Sequence, residues 1–120
     1  MERRLCTILA LDVVGFSKMM AADEDQTLRV LNSRREFIDA SITDHGGSIF
    51  NTAGDSVLAE FSSPVRALEC GVQIQNKSMA INAGSDEKDR MRYRVGINIG
   101  DVMVSDKNLF GDAVNIAARL

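Results

Sequence analysis

Tryptophan is absent, tyrosine occurs once, and aromatic residues make up only 5% of the chain. So few rings offer no stacking platform of the kind that single-stranded RNA requires, and a formal charge of -3 supplies no basic field for a nucleic-acid backbone. No apolar run is long enough to span a bilayer, since Leu5-Cys6-Thr7-Ile8-Leu9-Ala10-Leu11 is broken by Asp12. Met1-Glu2-Arg3-Arg4 ahead of that run imitates a signal peptide, but no small-residue cleavage pattern follows, so no membrane contact by this domain is expected. The two cysteines, Cys6 and Cys70, have no motif spacing and read as buried thiols in a reducing cytoplasm. The single histidine, His45, precedes Gly46-Gly47 and reads as a helix C-terminal cap. No internal repeat or low-complexity tract is present.

What is there is enough for one core. With 120 residues, 45% of them hydrophobic and 26% charged, the chain is expected to be one soluble domain over 1–120. After the first strand, Val13-Val14-Gly15-Phe16-Ser17 predicts a turn into a short helix, and Glu24 to His45 predicts a long one. Leu28, Leu31, Ile38 and Ile42 mark its apolar stripe, with Arg29, Arg34, Arg35 and Glu36 at the more polar positions.

Ser48–Thr52 and Ser56–Phe61 are β-rich runs around a glycine turn, a hairpin signal. Pro64 opens a second long helix to about Asn82, with Leu68, Val72, Gln75 and Met79 along one side. Ala83–Asp89 reads as a polar, mobile loop. Tyr93, Val95, Ile97 and Ile99 alternate with polar or small residues and predict a strand with one buried face. Gly100-Asp101 then reads as a turn into a short strand, Val102–Val104, and Asp112 to Leu120 as the start of a third helix. The order predicts an α+β fold, a ferredoxin-like βαββαβ core with an extension.

Two carboxylates stand out. Asp12 closes the apolar first strand, and Asp55 sits in Ala53-Gly54-Asp55-Ser56, the turn feeding the third strand. In a βαββαβ sheet the first and third strands are central neighbours, so both aspartates are expected at one edge. Paired carboxylates repel, and the usual partner is a hard divalent cation with oxygen ligands. Taken singly, Asp12 reads equally well as a cap for the following helix and Asp55 as a turn residue. Met19 and Met20 read as core or dimer-interface fillers, and Asp101 as a turn residue rather than a third ligand.

With these residues placed, the chain resembles the catalytic domain of class III nucleotidyl cyclases, the adenylate and guanylate cyclases. Five segments carry the resemblance: Leu11–Ser17, His45-Gly46-Gly47, Thr52-Ala53-Gly54-Asp55, Arg94–Gly100 and Phe110–Leu120. The resemblance implies that Asp12 and Asp55 hold two magnesium or manganese ions, with the backbone carbonyl of Val13 as a further ligand. It implies that the amides of Gly15, Phe16 and Ser17 receive phosphate oxygens. Asn115 and Arg119, four residues apart on one helix face, match the pair that orients the ribose and stabilises charge on the phosphate. In the family that pair comes from the opposite subunit, so a head-to-tail homodimer with two shared sites is implied. The implied reaction converts ATP to 3′,5′-cyclic AMP and pyrophosphate.

The chain also departs from the family pattern. Asn51 and Asn108 stand where adenylate cyclases usually carry a lysine and an aspartate or threonine that read the purine. Asparagine both donates and accepts, so GTP stays open beside the favoured ATP, and either residue reads equally well as an ordinary polar position. The family continues past Leu120 into strands that carry a phosphate-binding lysine, so an N-terminal portion of the cyclase domain, impaired when alone, is expected. The rival readings are a catalytically silent cyclase-like module, a guanylate cyclase, and an unrelated ferredoxin-like binding domain.

Overall fold

The apolar run near the start of the chain becomes the central strand. A computed structural model describes residues 2–105 and 108–119 and places β1 (Glu2–Val13) between β3 (Ser56–Phe61) and β4 (Tyr93–Ser105), antiparallel to both. The edges are β2 (Ser48–Ala53) and β5 (Asn108–Phe110), giving the order β2-β3-β1-β4-β5. The predicted core is therefore present, with β1 and β3 as central neighbours. The sheet curls enough for β2 and β5 to approach one another.

Both faces of β1 are covered, which explains an apolar run without alternation. Leu9, Leu11 and Val13 pack with Phe61 and with Ile38, Ile42 and Ile74 of the helices α2 (Glu24–Asp44) and α3 (Pro64–Ala83). Cys6, Ile8 and Ala10 on the other face pack with Ala113, Val114 and Ala117 of α4 (Asp112–Arg119). Each large aliphatic side chain buried here contributes about 1.5–3 kcal/mol. Both cysteines are free thiols and buried, and burial pushes each above its ordinary pKa. Leu120, the last residue of the predicted third helix, lies outside the described residues.

The helix ends follow their sequence signals. Asp23 accepts from the Gln26 amide at the start of α2, and Ser63 accepts from the Arg66 amide ahead of Pro64. His45 caps α2, and the Gly46 and Gly47 amides donate to the carbonyls of Thr43 and Ile42. This is a Schellman ending, with Gly46 at φ +79°.

Five expectations change. Gly100-Asp101 is no turn: β4 runs unbroken from Tyr93 to Ser105, with Cys6 opposite Gly100 and Leu5 opposite Asp101. The glycine serves a close approach instead, because a Cβ on Gly100 would stand 2.8 Å from the Ala113 Cβ of α4. Ala113 Cβ is fixed to the helix backbone, so α4 itself must move. Gly100→Ala is expected to cost about 1–3 kcal/mol, read as a lower urea midpoint at unchanged m-value.

On α3 the larger apolar residues face outward: Leu68, Val72 and Met79 are exposed, while Ala67, Cys70, Gly71, Ile74 and Ser78 are buried. Small residues let the helix sit close to the sheet, where a Cβ on Gly71 would already meet Val95 Cγ1 at 3.5 Å. On α2, Arg34 is buried rather than polar-facing, and Leu28 lies at the exposed rim of the stripe. The Arg34 guanidinium donates to Asn82 Oδ1 and to the Asp89 carbonyl, 2.9 and 3.3 Å away. With Gln26 donating to Asp89, this ties down the loop predicted to be mobile, which closes as a 3-10 turn over Glu87–Asp89. Finally, the buried face of β4 fades along its length: Tyr93 is buried, Val95 and Ile97 are partly covered, and Ile99 is exposed.

Candidate functional site

The register of the central pair decides where the aspartates meet. Leu11 pairs with Val57, so extending the antiparallel ladder by two residues brings Asp55 opposite Val13. The Asp55 side chain completes that step: its Oδ2 accepts from the Val13 amide at 2.8 Å. The carboxylate thus bonds to the peptide that joins Asp12 to Val13, and the expected single corner forms. Gly54, at φ +58°, lets the hairpin turn tightly enough to present it.

Asp12 points to the α4 side of the sheet. It faces Arg94 directly across β1 and β4, and Arg94 Nη2 donates to Asp12 Oδ2 at 2.8 Å. This bond raises the Arg94 pKa further. The other carboxylate oxygen, Oδ1, is buried and has no hydrogen-bond partner among the described residues. Asp12 does not cap the next helix, since α1 (Phe16–Ala22) begins at Gly15 with no side-chain cap.

A buried carboxylate oxygen without a donor is costly, and a bound cation is one way to satisfy it. Among the described residues no group of three or more His, Cys, Asp or Glu could hold a metal ion. Two carboxylates alone do not make a closed cage. They suit magnesium-like ions, which commonly use one or two carboxylates and take their remaining oxygens from water and substrate phosphates.

Gly15, at φ +68°, and Ser17 are exposed beside this corner, while Phe16 packs into the core beneath. Tyr93 lies opposite Val13; burial pushes its hydroxyl up to about 12, and that hydroxyl donates to Met91 Sδ at 3.2 Å. Met19 packs partly into the same core, as one of its two readings required.

The remaining expected residues lie elsewhere. Asn115 and Arg119 sit on the exposed side of α4, and Arg119 forms no ion pair among the described residues. Asn51 is exposed on β2 and Asn108 half-buried on β5, the two edges that the curl brings toward one another. Asn108 Oδ1 accepts from the Leu109 amide, and its NH2 group has no acceptor among the described residues. The cleft beside Asp12, lined by Ser56, Arg94, Gly96, Ala117 and Ala118, holds only about 90 Å³. A nucleotide needs several times that volume. Larger concavities of about 420 and 700 Å³ lie on the helical side and include neither aspartate.

Arg94 was missed as a site residue because alternation assigned it to a polar strand position. Its register against Asp12 was the usable signal.

The sequence profile of the family described as "Adenylate and Guanylate cyclase catalytic domain" matches residues 2–120. "Putative adenylate cyclase 3" of Rhizobium meliloti (strain 1021) is 44% identical over 120 residues, covering 99% of this chain and 20% of that protein. "Guanylate cyclase soluble subunit beta-2" of Rattus norvegicus is 32% identical over 133 residues, covering 99% of this chain and 20% of that protein. Among solved structures, an "Adenylate/Guanylate Cyclase/Hydrolase" from Silicibacter pomeroyi superposes with a TM-score of 0.89 at 46% identity, covering 98% of this chain and 69% of that one. The chain thus spans about a fifth of the length of these curated relatives.

Proposed function

The chain belongs to the adenylate and guanylate cyclase catalytic domain family, and from that premise we propose that it makes 3′,5′-cyclic AMP and pyrophosphate from ATP. The observation that carries the reading is the buried Oδ1 of Asp12, without a hydrogen-bond partner among the described residues, at the peptide whose Val13 amide donates to Asp55 Oδ2. Asp12, Asp55 and the Val13 carbonyl hold two magnesium or manganese ions. When bound, these ions supply Lewis acidity that acidifies the ribose 3′-hydroxyl and offsets the triphosphate charge.

The ribose 3′-oxygen bonds to the α-phosphorus, the bond from that phosphorus to the oxygen bridging to the β-phosphate breaks with pyrophosphate keeping the electron pair, and the hydroxyl proton passes to solvent water. The amides of Gly15, Phe16 and Ser17 take phosphate oxygens at the start of α1. Asn115 orients the ribose, and Arg119, with its planar and permanently charged fork, stabilises charge developing on the phosphate. Both come from a second copy of the chain in a head-to-tail homodimer, which the 90 Å³ cleft supports, since one protomer encloses too little space for the substrate. The domain works in the cytoplasm.

Asn51 and Asn108 meet the purine. The NH2 of Asn108 suits adenine N1 and guanine O6 alike, so the ATP preference rests on the 44% identical relative named as a putative adenylate cyclase. The intact protein with manganese, offered ATP and GTP in parallel, is expected to release cyclic AMP at least about tenfold faster than cyclic GMP, a gap worth about 1.4 kcal/mol. Faster cyclic GMP formation reverses the substrate assignment. No cyclic product from either nucleotide identifies a silent module.

A further inference from the structure

We propose that Arg94 is a resident counter-cation of the metal corner, holding Asp12 when no divalent ion is bound and weakening metal binding. The proposal rests on the reading of Asp12 as a metal ligand. Arg94 and Asp12 are direct partners across β1 and β4, so the 2.8 Å bond between them follows from the sheet register rather than from a chance surface encounter. The bond uses only Oδ2, and Oδ1 remains buried and without a partner among the described residues. Asp12 is therefore half-satisfied: neutralised enough to be kept at the strand end, yet with one oxygen still lacking a positive or donating neighbour.

Exposure is unequal in the sense such a device needs. The Arg94 side chain is 60% exposed and that of Asp12 25%. The guanidinium can swing into water at little cost, whereas the carboxylate stays where the strand holds it. A divalent ion arriving at Oδ1 meets a positive charge already held on the other oxygen of the same carboxylate. It must either displace Arg94 or bind against its repulsion. Both routes lower affinity, on the order of three- to tenfold for a largely solvated group. Asp55 also attracts Arg94, so the arginine opposes both carboxylates of the corner.

The test is binding of manganese alone to the intact protein, with free ion counted by electron paramagnetic resonance. Arg94→Met keeps the apolar stem and removes the charge, and is expected to tighten manganese binding about three- to tenfold. Arg94→Lys restores the charge and is expected to return affinity toward that of the native protein. A residue that merely braces the strand gives the opposite sign in Arg94→Met, looser binding from a disordered Asp12. Unchanged or looser binding in Arg94→Met, or equal tightening in Arg94→Lys, overturns the proposal. Arg94→Gln repeats the measurement should methionine disturb folding. Asp12→Asn separates the two levels: if it abolishes manganese binding while Arg94→Met changes nothing, the metal reading stands and only the role of Arg94 falls. If Asp12→Asn binds manganese as the native chain does, the metal reading falls with it.

Discussion

Asp55→Asn is expected to lower cyclase turnover about a thousandfold while leaving the fold intact. Losing one anionic ligand from a two-ion corner removes several kcal/mol of transition-state stabilisation, and about 4 kcal/mol corresponds to that factor. Asparagine is the informative replacement because the aspartate has two jobs. Its Oδ2 accepts from the Val13 amide at 2.8 Å, and an amide oxygen in the same place continues to do so. The charge is lost and the tether is kept. Asp55→Ala removes both, leaving a partly buried amide unsatisfied, and is expected to add about 1–3 kcal/mol of destabilisation that Asp55→Asn does not show. Turnover with manganese and ATP, read beside a urea melt of each variant, separates charge from tether. Turnover of Asp55→Asn within tenfold of the native protein would sink the assignment of Asp55 as a ligand.

This corner was legible because strand order, register and chemistry all point to it. The apolar run to Leu11 places β1 in the middle, the Gly54-Asp55 turn places β3 beside it, and the ladder leaves Asp55 opposite Val13. What escaped the sequence shares one cause: residue size and polarity were read as proxies for burial. Leu68, Val72 and Met79 outrank Ala67, Cys70 and Gly71 in hydrophobicity, yet α3 buries the smaller set, because close approach to the sheet satisfies more contacts than a larger side chain can.

Arg34 falls on the same stripe as Leu31 and Ile38 by spacing alone, but its charge suggested solvent. Burial became tolerable because Asn82 and the Asp89 carbonyl accept from its guanidinium. Gly100 looked like a turn because its small size was read as a break in the strand rather than as room for a neighbour. A glycine that breaks a strand and a glycine that admits a helix onto it are indistinguishable until Ala113 is in place.

Mixing two inactive proteins is expected to restore activity. Asp55→Asn lacks one half of the proposed site and Arg119→Ala the other, so each homodimer has two defective sites. Random exchange between equal amounts makes about half of the dimers mixed, and each mixed dimer carries one intact and one doubly defective site. Recovery of about a quarter of native activity follows. The exposed side of α4 supports this arrangement. Ala113, Val114 and Ala117 face the sheet, which leaves Asn115 and Arg119 outward beside Ile116, 46% exposed, while Phe110 at the end of β5 is 48% exposed. Apolar residues beside polar catalytic candidates suit a surface that a second copy covers. Mass spectrometry of the mixture establishes that heterodimers form. Heterodimers without recovered turnover would require one protomer to supply both halves, and the exposed side of its own α4 would then have to reach Asp12 across a cleft of about 90 Å³.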